Sequence, residues 1–160
     1  KDPTHTFFVD AILKVFPNAR FVFIHRDPVD TLSSICSLHA YARSVFSSDV
    51  HATDIGNELS ESYLTRLLEP AVEQMDRLPS CRVAHVRSPD LSRDPVGTIA
   101  SAYSALGFDL SREAGFAMRQ FMADKQKRPS APHAHSAEGF GLDANEIRER
   151  FASYCQRFDI

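Results

Sequence analysis

Arg26 and Ser34 stand eight positions apart in "FPNARFVFIHRDPVDTLSS", residues 16–34. Four apolar residues, Phe21 to Ile24, lead into Arg26, then Asp27-Pro28, then the hydroxyls of Thr31, Ser33 and Ser34. In open α/β sheets ligands gather beyond the carboxyl ends of strands, and Arg26 stands at such an end. An Arg fork beside a hydroxyl is a sensible clamp for a phosphate monoester. The helix opened by Asp27 and Pro28 would add backbone amides and the positive end of its dipole. Thr31 and Ser34 share one face of it, while Ser33 points elsewhere. Asp27 would repel an anion unless its carboxylate faces the amides it caps. The same residues also read as an ordinary capped βα junction, and spacing alone does not separate the two.

The elements that must position these groups follow from periodicity and punctuation. Phe7, Phe8, Ile12, Leu13 and Phe16 recur at helical intervals after Asp2 or Thr4 as cap, and Pro17-Asn18 stop that helix. Phe21–Ile24 is apolar on both faces, which suits a parallel strand covered on both sides. A helix from Pro28 runs through Ser37 or beyond, and a polar loop follows over residues 43–54. Asp54 caps a long helix to about Leu78, with Ile55, Leu59, Tyr63 and Leu67 as its stripe and Pro70 kinking or splitting it. "CRVAHV", residues 81–86, is a second short strand. Asp94-Pro95 opens a helix to about Leu106, closed by Gly107. Weaker signals place a helix from Ser111 to about Lys125, and a last one over 143–158 buries Ile147, Phe151, Tyr154 and Phe158. The Pro- and His-bearing stretch "KQKRPSAPHAHSAEGFG" between them is a long loop, of the kind that is usually functional. Strand, helix, strand, helix is an α/β plan in one domain, 1–160, with a thin sheet and much helix.

Composition excludes several classes. With 43% hydrophobic and 24% charged residues the chain is globular rather than disordered. A formal net charge of −3 argues against bulk nucleic-acid or anionic-membrane binding. No apolar run approaches the roughly 20 residues that span a bilayer, so the expectation is a cytoplasmic chain without membrane contact. Cys36, Cys81 and Cys155 are far apart and fit reduced thiols rather than a metal or disulfide set. His133 and His135 are too close for the usual pairing of helical ligands, and no metal is expected.

The segment "FPNARFVFIHRDPVDTLSSICSL" resembles the 3′-phosphate-binding segment of PAPS-dependent sulfotransferases: an apolar strand, Arg, then Ser eight positions on. "KDP" at the start is similar to the Lys-x-Pro of the bacterial and tyrosylprotein branches, "LSRDPVGTIASAYSALGFDLS" resembles a later helix of the family, and "FGLDANEIRERFASYCQRF" its C-terminal helix. The ordered set covers essentially the whole chain. The resemblance implies a P-loop-like α/β fold, truncated before Lys1 so that the 5′-phosphosulfate loop is lacking. It implies transfer of a sulfonate from PAPS, as co-substrate, to a hydroxyl or amine on a small molecule or peptide. Carried across by position, Arg26 and Ser34 match the 3′-phosphate ligands. Lys1 matches the lysine that stabilises charge on the bridging oxygen. Lys127, Arg128, His133 and Ser136 fall where the family closes a lid over the nucleotide. Ser88 and His135 stand where the family commonly carries Tyr.

Bland readings stand beside these. Lys1 also fits a solvated terminal lysine, and His5 fits either a helix-surface residue or a general base near the acceptor. His25 reads as strand-end packing, and His39, His51 and His85 as structural. Arg43 and Arg87 read as solvated, or as adding positive field near the nucleotide, and Asp90 and Asp94 as caps. The alternative to the enzyme is a non-catalytic remnant that binds nucleotide weakly or pairs with another chain, an open sheet edge inviting homo-oligomers. A nucleotide-kinase reading would need a GxxxxGK[ST] loop, which the chain lacks.

Overall fold

A computed structural model describes residues 3–63, 68–126 and 136–160. Two short parallel strands form its sheet, β1 (Phe21–His25) and β2 (Val83–Arg87), in register from Phe21↔Val83 to His25↔Arg87. The crossover between them carries α2 (Pro28–Ser44), α3 (Ala52–Tyr63) and α4 (Glu69–Asp76). Before β1 lies α1 (Val9–Val15). After β2 come α5 (Ser88–Arg93), α6 (Pro95–Ala105), α7 (Arg112–Gln126), α8 (Ala144–Arg150) and α9 (Ala152–Phe158).

Side chains alternate across a strand, so the two faces of this sheet meet different partners. Phe21 and Phe23 join Val83 on one face, where Val9, Leu13, Met75 and Leu78 pack against them. On the other face Ala84 and Val86 of β2 are buried with Ala102 of α6 and Leu106 at its C-terminal end. The largest cluster lies away from the sheet. Leu32 and Cys36 of α2, Ile55 and Leu59 of α3, and Ala137, Leu142, Ile147 and Phe151 from the C-terminal segment close it.

The strand expectation needs a correction here. Among the described residues β1 is well covered on one face, while Val22 and Ile24 on the other remain 50% and 46% exposed. Helix α6 packs on β2. The first helix is corrected too. Residues Pro3–Phe8 form a 3₁₀ turn before α1, with no side-chain cap at Phe8. The change from three to 3.6 residues per turn rotates the apolar face, so Val9 is buried while Phe7, Phe8 and Phe16 stay exposed.

The crossover helix begins two residues before Asp54, which sits in the first turn with its carboxylate at the positive end of the dipole. Residues 64–67 lie outside the described residues, and Pro70 falls in the first turn of α4, where a missing N–H does no harm. Gly56 on α3 allows a close approach: a Cβ there would meet the Phe140 carbonyl oxygen at 2.0 Å. Asp94 caps α6 by accepting from the Gly97 N–H at 3.0 Å, and Gly107 beyond its end has φ +72°, as its sequence position leads one to expect. The last helix is broken at Phe151, whose ring is buried at the junction of α8 and α9. Short α5 was not visible in the sequence pattern.

Candidate functional site

The junction of β1 and α2 is built by local signals. Pro28 occupies the first helical position and Asp27 caps it, its Oδ1 accepting from the Val29 N–H at 2.7 Å and the Asp30 N–H at 3.1 Å. The carboxylate therefore faces the amides, as an anion site requires, but it also occupies them. Pro28 has no N–H, and the Thr31 N–H donates to the Asp27 carbonyl at 2.9 Å. The expectation of free helix amides for a phosphate is corrected accordingly: any anion at this turn must be gripped by side chains.

Two side chains there are unspent. Arg26 is 42% exposed, and among the described residues its one partner is Asp30 at 3.8 Å, a loose contact without fork geometry. The hydroxyls of α2 divide sharply. Thr31 Oγ1 donates to the Asp27 carbonyl at 2.9 Å, and buried Ser33 Oγ donates to the Val29 carbonyl at 2.7 Å. Ser34, half-buried and about 9 Å along the axis from Pro28, has no such bond among the described residues.

Three other arginines are committed. Arg43 holds both carboxylate oxygens of Glu58 at 2.9 Å, and Arg157 grips Asp76 at 2.8 and 2.5 Å. Arg87 contacts Asp159 at 2.5 Å and Asp90 at 3.4 Å. Arg43 and Arg87, read as solvated or as adding positive field, are thus ion-paired, and Asp90 pairs with Arg93 and Arg87 instead of capping.

The remaining candidates are scattered. His5 is exposed on the 3₁₀ turn before α1. Ser136 is exposed, and its Oγ accepts from the Gly139 N–H at 3.2 Å, within the 3₁₀ turn Glu138–Phe140 that follows. Among the described residues no hydrogen bond joins either one to Arg26 or Ser34. Lys1, Lys127, Arg128, His133 and His135 lie outside the described residues. Among those described, no group of three His, Cys, Asp or Glu side chains could hold a metal, and no helix is long and apolar enough to cross a membrane.

A buried polar chain directly before Arg26 escaped the sequence reading. His25 is fully buried, with Nδ1 2.9 Å from Tyr154 Oη and Nε2 2.8 Å from His85 Nδ1. Its ring stacks on Phe158 at 3.5 Å between centroids. Burial first, then the charges of His85 and Arg157, push its pKa down to about 3, so the ring is neutral. Burial likewise lowers His85. The available signal was that two histidines interrupt apolar strands on the same face.

Residues 1–112 match the family model described as the sulfotransferase family. The chain belongs to the sulfotransferase family. The omega-hydroxy-beta-dihydromenaquinone-9 sulfotransferase Stf3 of Mycobacterium bovis is 31% identical over 127 residues, covering 78% of this chain and 32% of that protein. Among solved structures, the sulfotransferase STF9 of Mycobacterium avium matches with TM-score 0.83 at 27% identity, over all of this chain and 41% of that one. The sulfotransferase STF1 of Mycobacterium tuberculosis matches with TM-score 0.76 at 31% identity, over 96% of this chain and 38% of that one. This sulfotransferase-family chain therefore spans about a third of the curated relative and two-fifths of the solved ones. Its fold is the P-loop-like α/β fold of those structures, helix-rich with a small parallel sheet.

Proposed function

We propose that this chain supplies the 3′-phosphate site of a sulfotransferase that uses PAPS. The observation that carries it is a pair at the β1–α2 junction: a solvent-facing Arg26 with, among the described residues, one loose partner, and further along α2 a Ser34 hydroxyl unspent by the helix. Family membership supplies the reaction class. The guanidinium fork would take two phosphate oxygens and Ser34 a third. The sulfur–oxygen bond to the 5′-phosphate would break as sulfur bonds to the acceptor oxygen or nitrogen. The acceptor's proton leaves, and adenosine 3′,5′-bisphosphate remains.

In this reading Lys1 steadies charge on the departing bridging oxygen and His5 takes the acceptor's proton. Lys127, Arg128, His133 and Ser136 close over the nucleotide. The acceptor is a hydroxyl- or amine-bearing small molecule or peptide. Because Asp27 already fills the helix amides, the affinity rests on Arg26. Removing it should cost about 1.5–3 kcal/mol, as for a charged hydrogen bond. Calorimetric titration of Arg26→Ala with adenosine 3′,5′-bisphosphate tests this, and unchanged affinity would remove the assignment. A second reading, a chain that pairs with another polypeptide, is favoured by the half-exposed Val22 and Ile24 on β1.

A further inference from the structure

The polar chain behind Arg26 is an unusual thing to bury. A leucine or phenylalanine at position 25 would fill the same space without desolvating two ring nitrogens. Here both nitrogens are matched, by Tyr154 of α9 and His85 of β2, and the ring lies flat on Phe158 and edge-on to Phe23 at 4.7 Å. A neutral ring meets both partners in two ways. Either Tyr154 O–H donates to Nδ1 and Nε2–H donates to His85, or Nδ1–H donates to the Tyr154 oxygen and His85 Nδ1–H donates to Nε2. In both cases the contacts are directional, and directional contacts fix a geometry that apolar packing leaves loose.

The helix that carries Tyr154 and Phe158 is itself anchored at two further points. Arg157 grips Asp76 of α4, and Asp159 just beyond the helix holds Arg87 at the end of β2. Helix α9 is thus tied to the carboxyl ends of both strands. The backbone between residues 25 and 26 is the joint that sets where Arg26 leaves the strand, and His25 is the residue this framework immobilises.

We infer that His25 is a positioning residue for the phosphate clamp: bonded to Tyr154 and His85 and stacked on Phe158, it holds the end of β1 so that Arg26 is aimed at the 3′-phosphate. The inference rests on the phosphate reading above and deepens it. It assigns to the C-terminal helix a share in nucleotide selectivity, although that helix carries none of the proposed ligands.

The experiment compares wild type, Tyr154→Phe and His25→Asn. Each is titrated with adenosine 3′,5′-bisphosphate and with 5′-AMP, well below its melting temperature, with circular dichroism as the check of fold. Tyr154→Phe keeps the ring and removes one oxygen, so it should fold. The expected result is a loss of about three- to tenfold in bisphosphate affinity with 5′-AMP affinity unchanged. His25→Asn, which can keep one of the two bonds, should also lose preference for the 3′-phosphate. If Tyr154→Phe lowers the melting temperature but leaves the ratio of the two affinities as in wild type, His25 is merely structural and the inference is overturned. Should His25→Asn fail to fold, the Tyr154→Phe ratio decides alone. A wild-type chain that does not distinguish the two nucleotides overturns the phosphate reading itself, a separate outcome, and this inference falls with it.

Discussion

Acidification below pH 6.5 should destabilise this chain, and His25 sets the size of the effect. In the unfolded chain a histidine titrates at 6.5, whereas the buried ring is held down to about 3. Below pH 6.5 the unfolded state takes up a proton that the folded state refuses, so stability falls with pH throughout that window. One proton of difference is worth about 1.4 kcal/mol per pH unit, hence roughly 2–3 kcal/mol between pH 6.5 and 4.5. His85, lowered by burial, acts in the same direction. Asp76 behaves oppositely in origin: its carboxyl is held below 3.8 by Arg157, and its contribution is lost only as pH falls through that lower range. Keeping the measurement above pH 4.5 therefore separates His25 and His85 from Asp76. Urea unfolding followed by circular dichroism at pH 7, 5.5 and 4.5 gives the slope. His25→Asn, which has no titrating ring, should flatten it by about one proton. Equal slopes for the two proteins would show that His25 is not kept neutral, and would refute the picture of a dry, bonded ring.

Three further outcomes are expected. Ser34→Ala should weaken adenosine 3′,5′-bisphosphate by about 0.5–1.5 kcal/mol, while Ser33→Ala, whose hydroxyl already bonds within the helix, should leave the affinity unchanged in the same titration. Asp27→Ala removes the cap of α2 and should lower unfolding stability by about 1 kcal/mol; because it also frees two amides, bisphosphate affinity should hold or rise. Gly56→Ala drives a methyl into the Phe140 carbonyl and should lower stability by about 1–3 kcal/mol in a thermal melt.

What could be read from sequence was local. Asp27-Pro28 and Asp94-Pro95 each announce a cap and a first turn within three residues, and both helices start where those pairs place them. Ser111 likewise caps α7 through the Ala114 N–H. The failures were those of reach. That Val22 and Ile24 stay exposed is a packing fact invisible in a run of apolar letters. The first helix was misread because a 3₁₀ turn and an α-helix both space apolar residues three apart, and only the turn count decides which face is inward. At the candidate site, the spacing of Arg26 and Ser34 marked them as candidates without separating a clamp from an ordinary capped junction. The spent amides around them were not legible, since nothing in the letter Asp says which donors its side chain takes. His25 meets partners 60 and 129 positions away, so its role could come only from the folded chain.

The account stands on a phosphate held at the turn after β1. Calorimetric titration of the chain with adenosine 3′,5′-bisphosphate, against 5′-AMP under the same conditions, tests it most directly. Binding that requires the 3′-phosphate is the predicted result. A folded chain that binds both nucleotides equally, or neither, would contradict it.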